Sequence, residues 1–95
     1  MEINYTNDAV ASLTALVNFI ESHNTKGAGL RWLNKFEVYL QENLKHHSVI
    51  IPCNNLTFRQ LNLKCIYYND WLIAFSEEKN RITIEALLHK SRIKD

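Results

Sequence analysis

A histidine and an arginine lie three residues apart near the end of this chain, at His89 and Arg92, within the basic tail HKSRIK. An imidazole titrates near neutral pH, and a guanidinium binds phosphate or carboxylate groups. The tail from His89 to Lys94 has no acidic residue. We therefore predict that His89, Lys90, Arg92 and Lys94 bind the target of this protein. In the alternative, the tail is solvated and His89 forms a hydrogen bond to a neighbouring strand.

Two further cations lie on the segment FRQLNLKCIYY, which the alternation of apolar and polar residues predicts to be a strand. Arg59 would share a face with Leu61 and Leu63, and Lys64 would lie on the other face. A β-bulge could turn Arg59 into a functional groove. Otherwise its stem packs at the rim of the core, and its guanidinium bonds a chain end or an acidic side chain.

Five residues have side chains that bind metals in other proteins: His46, His47, Cys53, Cys65 and His89. Their spacings match no familiar zinc pattern, and no carboxylate follows Cys53 closely enough to orient a nucleophilic pair. We predict no metal and no cofactor. Two cysteines in a reducing compartment are commonly free thiols, so we expect Cys53 and Cys65 to be unpaired. The roles of Cys53, His46 and His47 stay open at this stage.

The elements that position these residues follow from periodicity. Alternation over residues 2–6 predicts a short strand, and Thr6 or Asn7 can cap the helix that follows. This helix has an apolar stripe of Val10, Leu13, Val17 and Ile20, and it should end near His23. The residues TKGAG separate it from a second helix over about 28–44, whose stripe is Leu33, Phe36, Leu40 and Leu44.

Three predicted strands close the chain, at 58–68, 71–78 and 81–89, after an irregular loop at 45–57. The order is β-α-α-β-β-β in a single domain of 95 residues. We predict an α+β fold in which a helical hairpin packs on one face of a small, mainly antiparallel sheet. The other face should be open to solvent and carry these residues: Gln60, Asn62, Lys64, Ser76, Thr83, Glu85 and His89.

Trp32 and Tyr39 lie off the apolar stripe of the second helix. We expect both side chains on its outer side, where exposed aromatic residues suit a partner helix or a homodimer contact.

Charge and hydropathy exclude several classes of function. The net charge of +1 argues against strong nonspecific binding of nucleic acid. No apolar run reaches the ~18 residues that span a bilayer, so no membrane partner is expected. The N-terminal residues MEINYTND do not resemble a signal peptide, and we expect a cytoplasmic protein.

The residues INYTNDAVASLTALVNFIE and FRQLNLK…WLIAFSEEKNRITIEALLHKSR together resemble the RelE/ParE superfamily of bacterial type II toxins. The positions that carry the resemblance are Arg59 at the start of the meander, Trp71 at the start of its middle strand, and His89 followed by Arg92 at its end. The resemblance implies a cytosolic toxin that a cognate antitoxin neutralises, possible homodimers or toxin–antitoxin hetero-oligomers, and the strand and helix order given above.

The superfamily divides by activity. RelE-like members cut messenger RNA on the ribosome, and ParE-like members inhibit DNA gyrase. The resemblance favours the ParE-like branch, because the loop at 45–57 has no Asp or Glu and no Tyr follows His89. In the nuclease alternative, Arg59, Lys64, His89 and Arg92 would be catalytic and the partners would be the ribosome and mRNA. A third hypothesis is a non-toxic module of this fold that only binds its antitoxin.

Overall fold

The computed structural model describes residues 2–44 and 51–92, and the elements run in the following order along the chain. Strand β1 (Glu2–Tyr5) leads into two helices, α1 (Asn7–His23) and α2 (Ala28–Asn43). A two-residue strand β2 (Ile51–Pro52) and a short helix α3 (Leu56–Gln60) come next. The chain then forms β3 (Lys64–Tyr68), β4 (Trp71–Glu78), β5 (Arg81–His89) and a 3₁₀ turn (Lys90–Arg92).

The five strands form one mixed sheet in the order β1-β5-β4-β3-β2. Strand β1 runs parallel to β5, with Ile3 opposite Ile82, and all the other neighbours are antiparallel. The two helices that join β1 to the meander lie on one face of the sheet, as a parallel crossover requires. The predicted α+β class, with a helical hairpin on one face of a mainly antiparallel sheet, is confirmed.

The main core lies between this hairpin and the sheet. Phe36 and Leu40 of α2 and its C-cap residue Leu44 are buried, as the predicted stripe requires. They pack against these strand residues: Ile66, Ile73, Phe75, Ile82, Ile84 and Leu87. Helix α1 contributes less, because Ala9 is its one fully buried residue and Leu13 is half-buried. Val10, which we placed on the core stripe, is 48% exposed.

The N-terminus of α1 is fixed to the sheet by Thr6. Its hydroxyl oxygen accepts a hydrogen bond from Ala9 N at 3.1 Å, which satisfies one of the free N–H groups of the first helical turn. The same hydroxyl donates to Glu85 O at 3.2 Å. The predicted cap is confirmed, and it also joins α1 to β5.

A β-bulge in β5 changes which residues face the helices. Ala74 pairs with Ala86 and Phe75 pairs with Ile84, so Glu85 is an extra residue without a partner in the register. We predicted that Thr83, Glu85 and His89 share the face away from the helices, and this alternation is wrong beyond Ile84. Leu87 and His89 lie on the helical face, and Ala86 lies on the opposite face, packed against the small cluster around Ala74.

The segment before β3 also differs from the prediction. Residues 56–60 are helical rather than extended, because the Asn55 side chain caps them by accepting from Phe58 N at 3.1 Å. Phe58 and Leu63 pack against Cys65, Leu72 and Ala74 on the face away from α1 and α2. This face is therefore covered over part of its area, and our expectation that it is open to solvent is wrong there.

Cys53 and Cys65 form a disulfide across a sequence separation of 12. The expectation of two free thiols is therefore wrong. Strand β2 places Ile51 opposite Cys65 in the register. Cys53 follows two residues later and therefore lies close to Cys65. Neither sulfur is available as a thiolate ligand or as a nucleophile while this bond is intact.

Candidate functional site

A groove of about 470 Å³ lies between α1 and the end of the meander. We call it the terminal groove. Its walls include Ser12, Leu16, Phe19, Trp71, Leu87 and His89. The terminal groove thus contains His89, which we predicted to bind the target.

The helical wall arises from the period of α1. Ser12, Leu16 and Phe19 are spaced by four and three residues, so they lie along one side of the helix. Phe19 is 59% exposed and its ring stacks on that of His23, with centroids 4.2 Å apart. The groove thus has a large apolar side chain on its rim, and apolar surface of this kind is common where a partner binds.

The strand wall arises from the register of β4 and β5. Trp71 pairs with His89, and their rings meet edge to face with centroids 5.2 Å apart. The bulge at Glu85 is the reason that His89 reaches this side of the sheet. Leu87 lies two residues before His89 on the same face of β5, and its side chain is buried in the main core.

The ring of His89 is oriented by the 3₁₀ turn that follows β5. Its Nδ1 accepts a hydrogen bond from Ser91 N at 3.2 Å and lies 2.9 Å from Ser91 Oγ. In a neutral imidazole this arrangement places the proton on Nε2. His89 is half-buried, and its contacts with Ser91 orient the ring.

Among the basic side chains after His89, the structure describes that of Lys90, which is paired with Asp70. Lys90 Nζ lies 3.2 Å from Asp70 Oδ1, and Lys90 N donates to Asp70 O at 2.8 Å. Both side chains of this ion pair are exposed, so the pair contributes little to stability. The side chain of Arg92 and the whole of Lys94 lie outside the described residues, as do His46 and His47.

The three nuclease candidates that the structure describes, Arg59, Lys64 and His89, are not brought together. Lys64 pairs with Phe75 while His89 pairs with Trp71, four positions along β4, a separation of roughly 13 Å at strand rise. Lys64 Nζ is bonded to Glu77 Oε1 at 2.7 Å. Arg59 lies in α3, which packs on the face away from α1, and its Nε donates to Cys53 O at 3.3 Å.

Trp32 and Tyr39 point inward, so our expectation that they lie on the outer side of α2 is wrong. Trp32 stacks on Phe36 with centroids 5.2 Å apart and meets Tyr68 edge to face. The Tyr39 hydroxyl donates to Tyr67 O, and its ring packs on Tyr68. Burial, followed by the charge of Tyr68, raises the pKa of Tyr39 above its ordinary value of 10.0. Both residues hold α2 against β3.

We did not identify Phe19 and Trp71 as site residues from the sequence. The stripe through Ser12, Leu16 and Phe19 could have indicated a second apolar side of α1, because it lies beside the core stripe. No sequence signal indicates that Trp71 and His89 meet, since the bulge sets that pairing.

The chain matches no model of a known protein family, and a search of the curated proteins finds no match either. Within residues 2–44 and 51–92, no helix has the length and the apolar composition needed to cross a membrane.

Proposed function

We propose that this protein is the toxin component of a type II toxin–antitoxin pair, of the ParE-like kind, that acts in the cytoplasm on DNA gyrase through protein–protein contact. One observation carries the proposal. The helical hairpin packs on one face of a sheet in which β1 lies beside β5 and β5 ends at His89. Apart from the additional elements β2 and α3, this arrangement agrees with the strand and helix order that the resemblance to the RelE/ParE superfamily implies.

The placement of the cations supports contact rather than RNA cleavage. A ribonuclease needs a general base, a general acid and a cation within hydrogen-bonding reach of one phosphodiester. Among the described candidates, Lys64 is paired with Glu77, Arg59 is bonded to Cys53 O, and His89 lies on the other face from Arg59. These three side chains cannot reach one phosphate group without a large rearrangement.

The terminal groove is the surface that we assign to the target. It combines an exposed aromatic rim at Phe19 with an oriented imidazole at His89, and the sequence beyond it is basic. Aromatic residues next to oriented polar groups are typical of the residues that contribute most to binding between proteins. A cognate antitoxin would neutralise the toxin by covering this surface.

The first test is pulse labelling after tightly induced expression of the chain in a bacterial host. We expect DNA synthesis to stop in the first minutes while protein synthesis continues. An early stop in translation would instead favour ribosome-dependent cleavage of mRNA. Normal DNA and protein synthesis, with folded protein accumulating, would exclude the toxin and leave the antitoxin-binding module.

A matched pair of variants on α1 tests the surface. Phe19→Ala removes an exposed ring from the groove, and Val10→Ala removes an exposed apolar side chain of the same helix that does not line the groove. We expect Phe19→Ala to weaken inhibition of purified gyrase about tenfold or more, as loss of a large aromatic contact residue does. Val10→Ala should inhibit as the unmodified chain does. Equal inhibition by both variants would remove the groove from the target surface.

A further inference from the structure

Residues 53–63 form a cover over the second face of the sheet, and we call them the cover segment. Phe58 and Leu63 are half-buried and pack on a small cluster that lies away from α1 and α2. The buried members of this cluster are Cys53, Cys65, Leu72 and Ala74. The cover segment contains α3, none of whose five residues is buried.

Among the described residues, hydrogen bonds within the cover segment hold its shape. The Asn55 side chain bonds Phe58 N, Arg59 Nε bonds Cys53 O at 3.3 Å, and Leu63 N bonds Phe58 O at 3.0 Å. These hydrogen bonds join residues within the segment, so they stabilise its shape without attaching it to the sheet. Leu56 and Leu61 are 58% and 64% exposed and therefore contribute little apolar burial.

The main core does not include the cover segment. Its buried residues come from α1, α2 and the helical face of the strands, with Phe36 and Phe75 both fully buried. Two separate clusters on opposite faces of a sheet can open separately, because local opening requires only the contacts of the part that moves.

We propose that the Cys53–Cys65 disulfide is a redox latch that holds the cover segment closed. Reduction by a dithiol transfers two electrons and two protons to the bond. The S–S bond breaks, Cys53 and Cys65 become thiols, and the dithiol becomes a disulfide through a mixed-disulfide intermediate. The cover segment then lifts from the sheet and exposes Leu72, Ala74 and Ala86.

Burial of the bond determines how it responds. Cys53 is 2% exposed and Cys65 is fully buried, so an attacking thiolate reaches a sulfur only when the segment opens briefly. While the bond is intact, the closed ring limits this opening. Once the bond is reduced, that constraint on the open state is removed, and the open population rises. This inference concerns the chain itself and does not depend on the toxin activity.

Trypsin cleavage of the full chain tests the latch. Arg59 is exposed but helical, and a protease needs an extended backbone, so cleavage after Arg59 reports opening of the segment. We expect reduction with dithiothreitol to raise the rate of cleavage after Arg59 roughly tenfold or more. Cleavage after Lys26 and Lys35, in the helical hairpin, should not change.

A double variant and a mass measurement complete the test. Cys53→Ser with Cys65→Ser should be cleaved after Arg59 at the reduced rate, with or without dithiothreitol. Alkylation of the oxidised, denatured chain should modify neither cysteine. The proposal is overturned if both cysteines are alkylated in the air-oxidised protein, or if reduction leaves cleavage after Arg59 unchanged. Faster cleavage after Lys26 and Lys35 as well would also overturn it, because the bond would then hold the whole fold.

Discussion

Gly29 is the residue that sets the distance between the two helices. A Cβ at this position would lie 2.5 Å from Val17 O and 3.1 Å from Val17 Cγ1. Because the first of these atoms belongs to the backbone of α1, the helices would have to move apart. The close approach of α1 and α2 therefore depends on the absence of a side chain at Gly29.

The variant Gly29→Ala should lower the free energy of unfolding. Overpacking costs about 1–3 kcal/mol and the higher helix propensity of Ala returns about 1 kcal/mol, so the net loss is up to about 2 kcal/mol. Urea unfolding measures it, with Asn34→Ala on the exposed side of α2 as the control. Identical urea midpoints for Gly29→Ala and Asn34→Ala would show that the helices yield without cost.

Glu21 gives the turn between the helices a dependence on pH. Its carboxylate accepts hydrogen bonds from Gly27 N at 2.7 Å and from Gly29 N at 2.9 Å. The bond from Gly27, then the bond from Gly29, holds the pKa of Glu21 below its ordinary value of 4.5. The resulting stability is present above the ordinary value and is lost as the pH falls through the lowered pKa.

We therefore expect Glu21→Gln to flatten the acid side of the stability curve. Between about pH 6 and about pH 3, the melting temperature of the unmodified chain should fall more than that of Glu21→Gln. Glu42→Gln, at an exposed position of α2, is the control and should fall as the unmodified chain does. A parallel fall in the unmodified chain and in Glu21→Gln would remove Glu21 as a source of acid sensitivity.

Among the secondary-structure elements, α1 and β5 are joined through the side chain of Thr6. Its hydroxyl accepts from Ala9 N and donates to Glu85 O, so one atom caps the helix and bonds the bulged strand. Thr6→Ala should cost about 1–2 kcal/mol, the upper part of the range for a lost cap. Thr6→Ser keeps the hydroxyl and should retain most of the stability. Calorimetric melting of the three proteins measures this, and equal losses for Ala and Ser would assign the effect to the methyl group.

The elements also show where sequence patterns are ambiguous. FRQLNLK alternates like a strand, yet its first residues form α3, because Asn55 caps a helical turn there. The Asn54–Asn55 pair before Leu56 was the signal for this cap. In β5, no residue type indicates the bulge, because Glu85 suits a regular strand position equally well.

For the molecule as a whole, the two faces of the sheet differ in how much they contribute to stability. Phe75 is fully buried in the main core, whereas Phe58 belongs to the cover segment and is half-buried against the small cluster. Phe75→Leu should lower the global free energy of unfolding by about 1–2 kcal/mol. In the reduced protein, Phe58→Leu should change it by less than about 0.5 kcal/mol, because the cover segment then opens separately.

Urea unfolding monitored by tryptophan fluorescence distinguishes these effects, since Trp32 and Trp71 both pack against the main core. Both variants replace Phe by Leu, so the same atoms are removed on each face of the sheet. Losses of similar size at Phe58 and Phe75 would mean that both clusters unfold together. That result would also weaken the case for a latch that acts locally.

Residue patterns along the chain predict most of the local elements. The stripe of α2, the cap at Thr6 and the three C-terminal strands depend on nearest neighbours in the chain, so periodicity and capping chemistry predict them. These elements were sufficient to predict the α+β class and the packing of the helical hairpin on the sheet. His89 was identified at the end of the last strand for the same reason.

Which residues come into contact depends on the tertiary structure. The bulge at Glu85 places His89 beside Trp71 and α1, the chain path at 51–65 joins Cys53 to Cys65, and the packing of α2 turns Trp32 inward. Each of these depends on contacts between residues distant in the chain. Such contacts are set by how the elements pack, and local residue patterns do not encode them.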